Sequence, residues 1–129
     1  MNKRIILTAS IFGALAVVLG AFGSHGLKQI VSADALSIWQ KGVEYQFYHT
    51  FALLYLSTFA RYKHKLISLA WAFFTAGIIL FSGSLYLLAL KDAYQNIPFI
   101  PILGPITPIG GLCFISGWIC LFLAALRDK

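Results

Sequence analysis

Of the polar side chains within or at the ends of apolar runs, seven are placed to do chemistry: His25, Glu44, Gln46, His49, Ser82, Ser84 and Tyr86. A histidine and a carboxylate in a low-dielectric pocket can form a proton relay or a general acid–base pair, and two histidines on different helices can ligate haem or a metal. Glu44 and Tyr48 are one helical turn apart, as are Tyr45 and His49, so the two pairs would flank one another. A plainer reading has more weight: His25 and Glu44 are interfacial groups that reach water, and His49 makes one interhelical hydrogen bond. No nucleophile elbow, phosphate loop or HExxH motif occurs in the chain. We therefore assign no catalytic residue, metal or cofactor and favour a non-enzymatic protein. Cys113 and Cys120 are seven residues apart, about 10 Å along a helix, too far for a disulfide within it. They read as small packing residues.

The elements that must hold these groups are membrane helices. Hydrophobic residues make up 60% of the 129-residue chain and charged residues 11%, against about 25% charged in a typical soluble domain. Apolar stretches at 5–22, 43–60, 66–90 and 107–126 fill most of it. Each has the roughly 17 to 25 residues that cross a hydrocarbon core about 30 Å thick. Barrel strands would alternate in segments of about ten residues, and these stretches do not. The expectation is an all-α membrane protein, a single domain over 1–129 built as a four-transmembrane-helix bundle. The first stretch exceeds the roughly 7 to 15 residues of a signal-peptide core and reads as a span.

Charge placement sets the expected orientation. Lys3 and Arg4 supply +2, Arg61, Lys63 and Lys65 supply +3, and Arg127, Asp128 and Lys129 supply +1, which accounts for the net charge of +6. The other two connections balance internally, with Lys28 and Lys41 against Asp34 and Glu44, and Lys91 against Asp92. Lysine and arginine concentrate on cytoplasmic segments, so both termini are expected inside, in a cell inner (plasma) membrane. The basic excess is then a topology signal with some affinity for anionic lipid, and nucleic acid is not an expected partner. In this orientation all seven polar residues fall in the outer half of the membrane.

The connections carry further signals. Ser32 can cap a helix starting near Ala33, and Leu36, Trp39 and Val43 then share a face. The segment is expected on the membrane surface, with Trp39 at headgroup level, before the chain turns inward. Pro98, Pro101, Pro105 and Pro108 crowd the second outer connection, which predicts no regular helix over 97–106 and a fourth helix capped by Thr107. Small residues form stripes that let helices approach closely. They are Gly13, Ala16, Gly20 and Gly23 in the first span, Ala70, Gly77 and Ser84 in the third, and Gly110, Cys113, Gly117, Cys120 and Ala124 in the fourth. Such stripes serve packing within one bundle or association between copies. No internal repeat of the inverted-transporter kind stands out.

Four motifs stand together: GAFGSHGL at 20–27, WQKGVEYQFYHTFALL at 39–54, FSGSLYLLAL at 81–90 and GPITPIGG at 104–111. In this order and spacing the chain resembles the YgdD/YwdK-like family of small inner-membrane proteins of unknown function, which also has eukaryotic relatives. The resemblance covers nearly the whole chain. It implies a four-span membrane protein in which His25, Glu44, Gln46, His49, Ser82, Ser84 and Tyr86 belong to one shared feature. Membrane lipids, a membrane-protein partner or a second copy of the chain are the expected partners. The function expected is an accessory or assembly role, with a small-molecule, lipid or proton-handling site in the outer half as the alternative.

Overall fold

A computed structural model of the chain describes residues 2–59, 65–91, 93 and 100–127. Among these, all regular structure is helical. Helix α1 (Lys3–Ser24) is followed by α2 (Ala33–Leu56), α3 (Lys65–Gly77), a π-helical segment (Ile78–Ser82), α4 (Gly83–Leu90) and α5 (Ile100–Arg127), with short 3-10 turns at Leu27–Gln29 and Ser57–Phe59. The α3, π and α4 pieces run on as one rod, Lys65–Leu90. The basic connection at 60–64, the tail at 128–129, Asp92 and Pro98 lie outside the described residues.

Among the described residues, three helices are long and apolar enough to cross a membrane: Lys3–Gln29, Lys65–Leu90 and Pro101–Arg127. Helix α2 has the length, at 24 residues, but Asp34, Gln40, Lys41, Glu44, Gln46 and His49 dilute its apolar content. Its polar side chains are tolerable in lipid only if neighbouring helices satisfy them.

Local signals explain the helix starts. The Asn2 side chain accepts from the Ile5 N–H at 3.3 Å, and Ser32 accepts from the Ala35 N–H at 3.1 Å, so each satisfies a donor that the first helical turn leaves free. Beyond Ser32 the structure departs from the sequence reading. No turn separates a surface segment from a span, because no proline breaks the run and Gly42 alone weakens it, by about 1 kcal/mol. Helix α2 continues from Ala33 to Leu56 without interruption.

The proline-rich stretch is a second correction. Residues 100–106, expected to be irregular, are the opening turns of α5, and Thr107 lies inside the helix instead of capping it. Pro101 falls in the first turn, where the missing N–H removes no helical bond. Pro105 and Pro108 follow at spacings of four and three, so all three prolines share the exposed face. Their rings point away from the bundle, and the inner face, with Leu103 and Gly110 buried, packs unimpeded.

Helix α1 packs chiefly on α2, α5 packs chiefly on the third rod, and α2 and that rod meet between them. The main core joins Ile5, Ala9, Leu53, Leu56, Phe74 and Phe114, and a smaller cluster holds Leu27, Trp39 and Ala89. The outer faces of α1 and α5 are apolar as well. Ile11, Val17 and Val18 on one side and Leu112, Ile119 and Phe122 on the other are more than half exposed. Lipid is the solvent that suits such faces, since a continuous apolar patch left in water carries a free-energy cost of hydration.

Candidate functional site

Gln46 is the centre of the buried polar set. It is 2% exposed, and its amide donates from Nε2 to the Phe12 carbonyl at 2.8 Å while Oε1 accepts from the Tyr86 hydroxyl at 2.6 Å. One side chain of α2 thus ties α1 to α4. One turn further on, the Thr50 hydroxyl donates back to the Gln46 carbonyl at 2.6 Å.

The π segment supplies the next contacts. The Gly83 N–H reaches the Ile78 carbonyl five residues back, and the widened turn carries Ser82 toward α2, where its hydroxyl donates to the Gly42 carbonyl at 2.7 Å. Two glycines make room for the bulge. A Cβ on Gly42 would stand 2.8 Å from the Tyr86 ring, and one on Gly110 would fall on the backbone of Phe81. The Ser84 and Thr107 hydroxyls lie 2.6 Å apart and share a hydrogen bond, and each also has a carbonyl of its own helix as a second acceptor, Phe81 at 2.9 Å and Leu103 at 3.2 Å.

His49 stands apart from this chain of bonds but is equally occupied. Its Nδ1–H donates to the Tyr45 carbonyl at 2.8 Å, and Nε2 accepts from the Trp118 indole N–H at 3.1 Å. An indole nitrogen can only donate, so this pairing selects the neutral Nδ1–H tautomer. The ring also stacks on Phe114 with centroids 3.6 Å apart. No lone pair is left for a metal or a substrate.

The seven residues singled out from the sequence therefore separate into two groups. Gln46, His49, Ser82, Ser84 and Tyr86 face the interior and bond across helices. His25 and Glu44 are exposed. His25 closes α1, its backbone N–H bonded to the Ala21 and Phe22 carbonyls. Glu44 faces the same direction as Lys41, 3.9 Å away. Near Glu44 an open cleft of about 250 Å³ runs between α1 and α2, lined by Gly20, Ser24, Trp39, Gln40, Val43 and Glu44.

Several partners in these contacts were not among the sequence candidates. Trp39 is 3% exposed; its indole N–H donates to the Leu19 carbonyl at 2.9 Å and its ring lies 4.7 Å from that of Tyr86. Gly42, Thr50 and Trp118 complete the set. For Trp118, 69 residues from His49, no local spacing could have given the pairing.

The small residues fall on two different interfaces. Gly13 and Gly20 face Thr50 and Val43 of α2, where a Cβ would meet the nearest atom at 3.5 and 3.4 Å. Gly77 and Gly117 are covered by the rings of Phe114 and Phe74, so a Cβ at either would collide with an aromatic side chain. Cys113 and Cys120 are free thiols on α5.

Described residues whose regular structure is all helical, with apolar outer faces and Gln46, His49, Ser82, Ser84 and Tyr86 bonded between helices, define a membrane protein in its class. The chain belongs to the family described as a protein of unknown function, DUF423, which matches residues 19–111. It is similar to the UPF0382 membrane protein YwdK of Bacillus subtilis, 41% identical over 97% of this chain and 98% of that one. It is also similar to the UPF0382 inner membrane protein YgdD of Escherichia coli, 37% identical over 99% of this chain and 93% of that protein, and to a UPF0382 membrane protein of Staphylococcus aureus, 42% identical over 97% of each. No solved structure matches the chain.

Proposed function

We propose that this protein is a four-span bundle of the inner membrane, with both termini on the cytoplasmic side, that acts as a non-enzymatic accessory or assembly protein. The observation that carries this reading is the occupancy of the buried polar set: Gln46, His49, Ser82, Ser84 and Tyr86 are each bonded to other protein groups. Polar groups so paired hold helices together, and a catalyst would need at least one presented to a substrate. The same pairing lets α2 serve as the fourth span despite its polar content. The charge pattern and the inner-membrane relative support the location and the orientation.

Variants with one introduced cysteine at an exposed position, in a Cys113→Ala, Cys120→Ala background, test the topology. Lys3→Cys and Arg127→Cys should resist a membrane-impermeant maleimide in intact cells, and Lys28→Cys should react. Cross-linking in native membranes from the exposed faces of α1 and α5, followed by mass spectrometry, tests the accessory role, for which one reproducible protein partner is expected. A second reading, a ligand site in the outer half, draws support from the cleft between α1 and α2 and from the unburied Glu44, not from the buried set.

A further inference from the structure

The cleft between α1 and α2 combines apolar and polar lining residues. Its floor is apolar and smooth, formed by Gly20, Val43 and the Trp39 ring, and its rim carries Ser24, Gln40 and Glu44. Helix α1 is 22 residues long, about 33 Å at 1.5 Å per residue, so with Lys3 at one membrane boundary Ser24 reaches the other. The cleft therefore opens sideways from the level where lipid headgroups meet hydrocarbon.

The Glu44 carboxylate on the rim has Lys41, which is not itself a lining residue, as its neighbour on α2. Lys41 and Glu44 stand 3.9 Å apart with side chains 56% and 51% exposed. A pair that long and that open to solvent contributes little to stability, and either partner can exchange it for an external ion at small loss. A zwitterion fits such a rim: an ammonium beside the Glu44 carboxylate and a phosphate beside Lys41, with the Gln40 amide and Ser24 hydroxyl as further phosphate donors. The apolar floor continues inward along Gly20, where an acyl chain can lie against α1 and α2.

We propose that this cleft binds a phospholipid whose headgroup carries a primary ammonium. The assignment rests on the second reading above, a ligand site in the outer half of the bundle. A quaternary ammonium of the choline type has no N–H to donate to Glu44, so the carboxylate discriminates between the two headgroups.

Native mass spectrometry of the full chain, released from nanodiscs of equal phosphatidylethanolamine and phosphatidylcholine with matched acyl chains, tests this. The wild type is expected to retain the ethanolamine lipid over the choline lipid by about tenfold, equivalent to about 1.4 kcal/mol. Glu44→Gln, an exposed change that leaves the helices intact, should bring the ratio to about one while adducts persist. Ser24→Leu, which fills the rim, should abolish adducts of both kinds. Millimolar phosphoethanolamine should leave the lipid adduct in place. Equal retention of the two lipids by the wild type, or a preference that survives Glu44→Gln, overturns the headgroup assignment alone. Displacement by phosphoethanolamine makes the ligand a soluble one and overturns the lipid. If no lipid survives in the wild type, the ligand-site reading falls as well.

Discussion

The interface of α1 with α2 and the interface of α5 with the third rod join helices by different means. Between α1 and α2, side chains donate to backbone carbonyls across the gap, Trp39 to Leu19 and Gln46 to Phe12, and Gly13 and Gly20 leave room for a methyl group. Between α5 and the rod, aromatic rings and backbone fill the space over Gly77, Gly110 and Gly117. Lipid removes the hydrophobic drive between helices, so association has to come from close packing or from hydrogen bonds. Side-chain bonds to backbone carbonyls join α1 to α2, whereas on the α5 side close packing does most of the joining and one side-chain bond, between Ser84 and Thr107, is added to it. Packing between α1 and α2 is uneven, since the Trp39 ring closes over Gly23 while Gly13 and Gly20 leave room for a methyl group, and the cleft lies beside Gly20.

The comparison breaks most visibly at Gly110. Gly110→Ala places a methyl group on the Phe81 backbone, which has no side-chain rotation to relieve it. We expect a loss of about 3 kcal/mol or more, from the overpacking range, seen as a collapse of thermal stability in detergent. His49→Ala should come next, at about 2 to 3 kcal/mol, because it opens a hole beside Phe114 and strands the Trp118 N–H. Trp118 emission in a Trp39→Phe, Trp71→Phe background should shift when that partner is lost.

Gln46→Leu keeps volume and removes both bonds. Interhelical hydrogen bonds in membranes average about 0.6 kcal/mol each, so a loss of about 1 kcal/mol is expected, with Tyr86→Phe losing about half of that. Gly20→Ala should be nearly neutral, within about 0.5 kcal/mol, since its methyl group would make ordinary contact with Val43. Equal effects of Gly20→Ala and Gly110→Ala on the unfolding midpoint would show that the two interfaces do not differ in the way proposed.

Some of this was legible in the chain. The Ser32 cap acts as read, because a cap depends on residues three positions apart. The proline segment was misread for a physical reason. Each proline weakens a helix locally, but Pro101, Pro105 and Pro108 share one outward face, and the packing of Leu103 and Gly110 outweighs the bonds they remove. Polar residues that interrupt or end the apolar runs were also visible in the chain. Their division into bonded Gln46, His49 and Ser82 and exposed His25 and Glu44 was not.

What the sequence determined by itself is a helical membrane protein with most of its helix locations, since length, apolar content and caps are properties of short stretches. Tertiary structure alone decided which polar groups are satisfied and which are free. A π-helical turn at Ile78–Ser82 changes the phase of everything after it, by about 100° for one inserted residue. Whether Ser82 meets Gly42, Ser84 meets Thr107 and Tyr86 meets Gln46 depends on that phase, and the phase is set by the space that Gly42 and Gly110 leave on neighbouring helices.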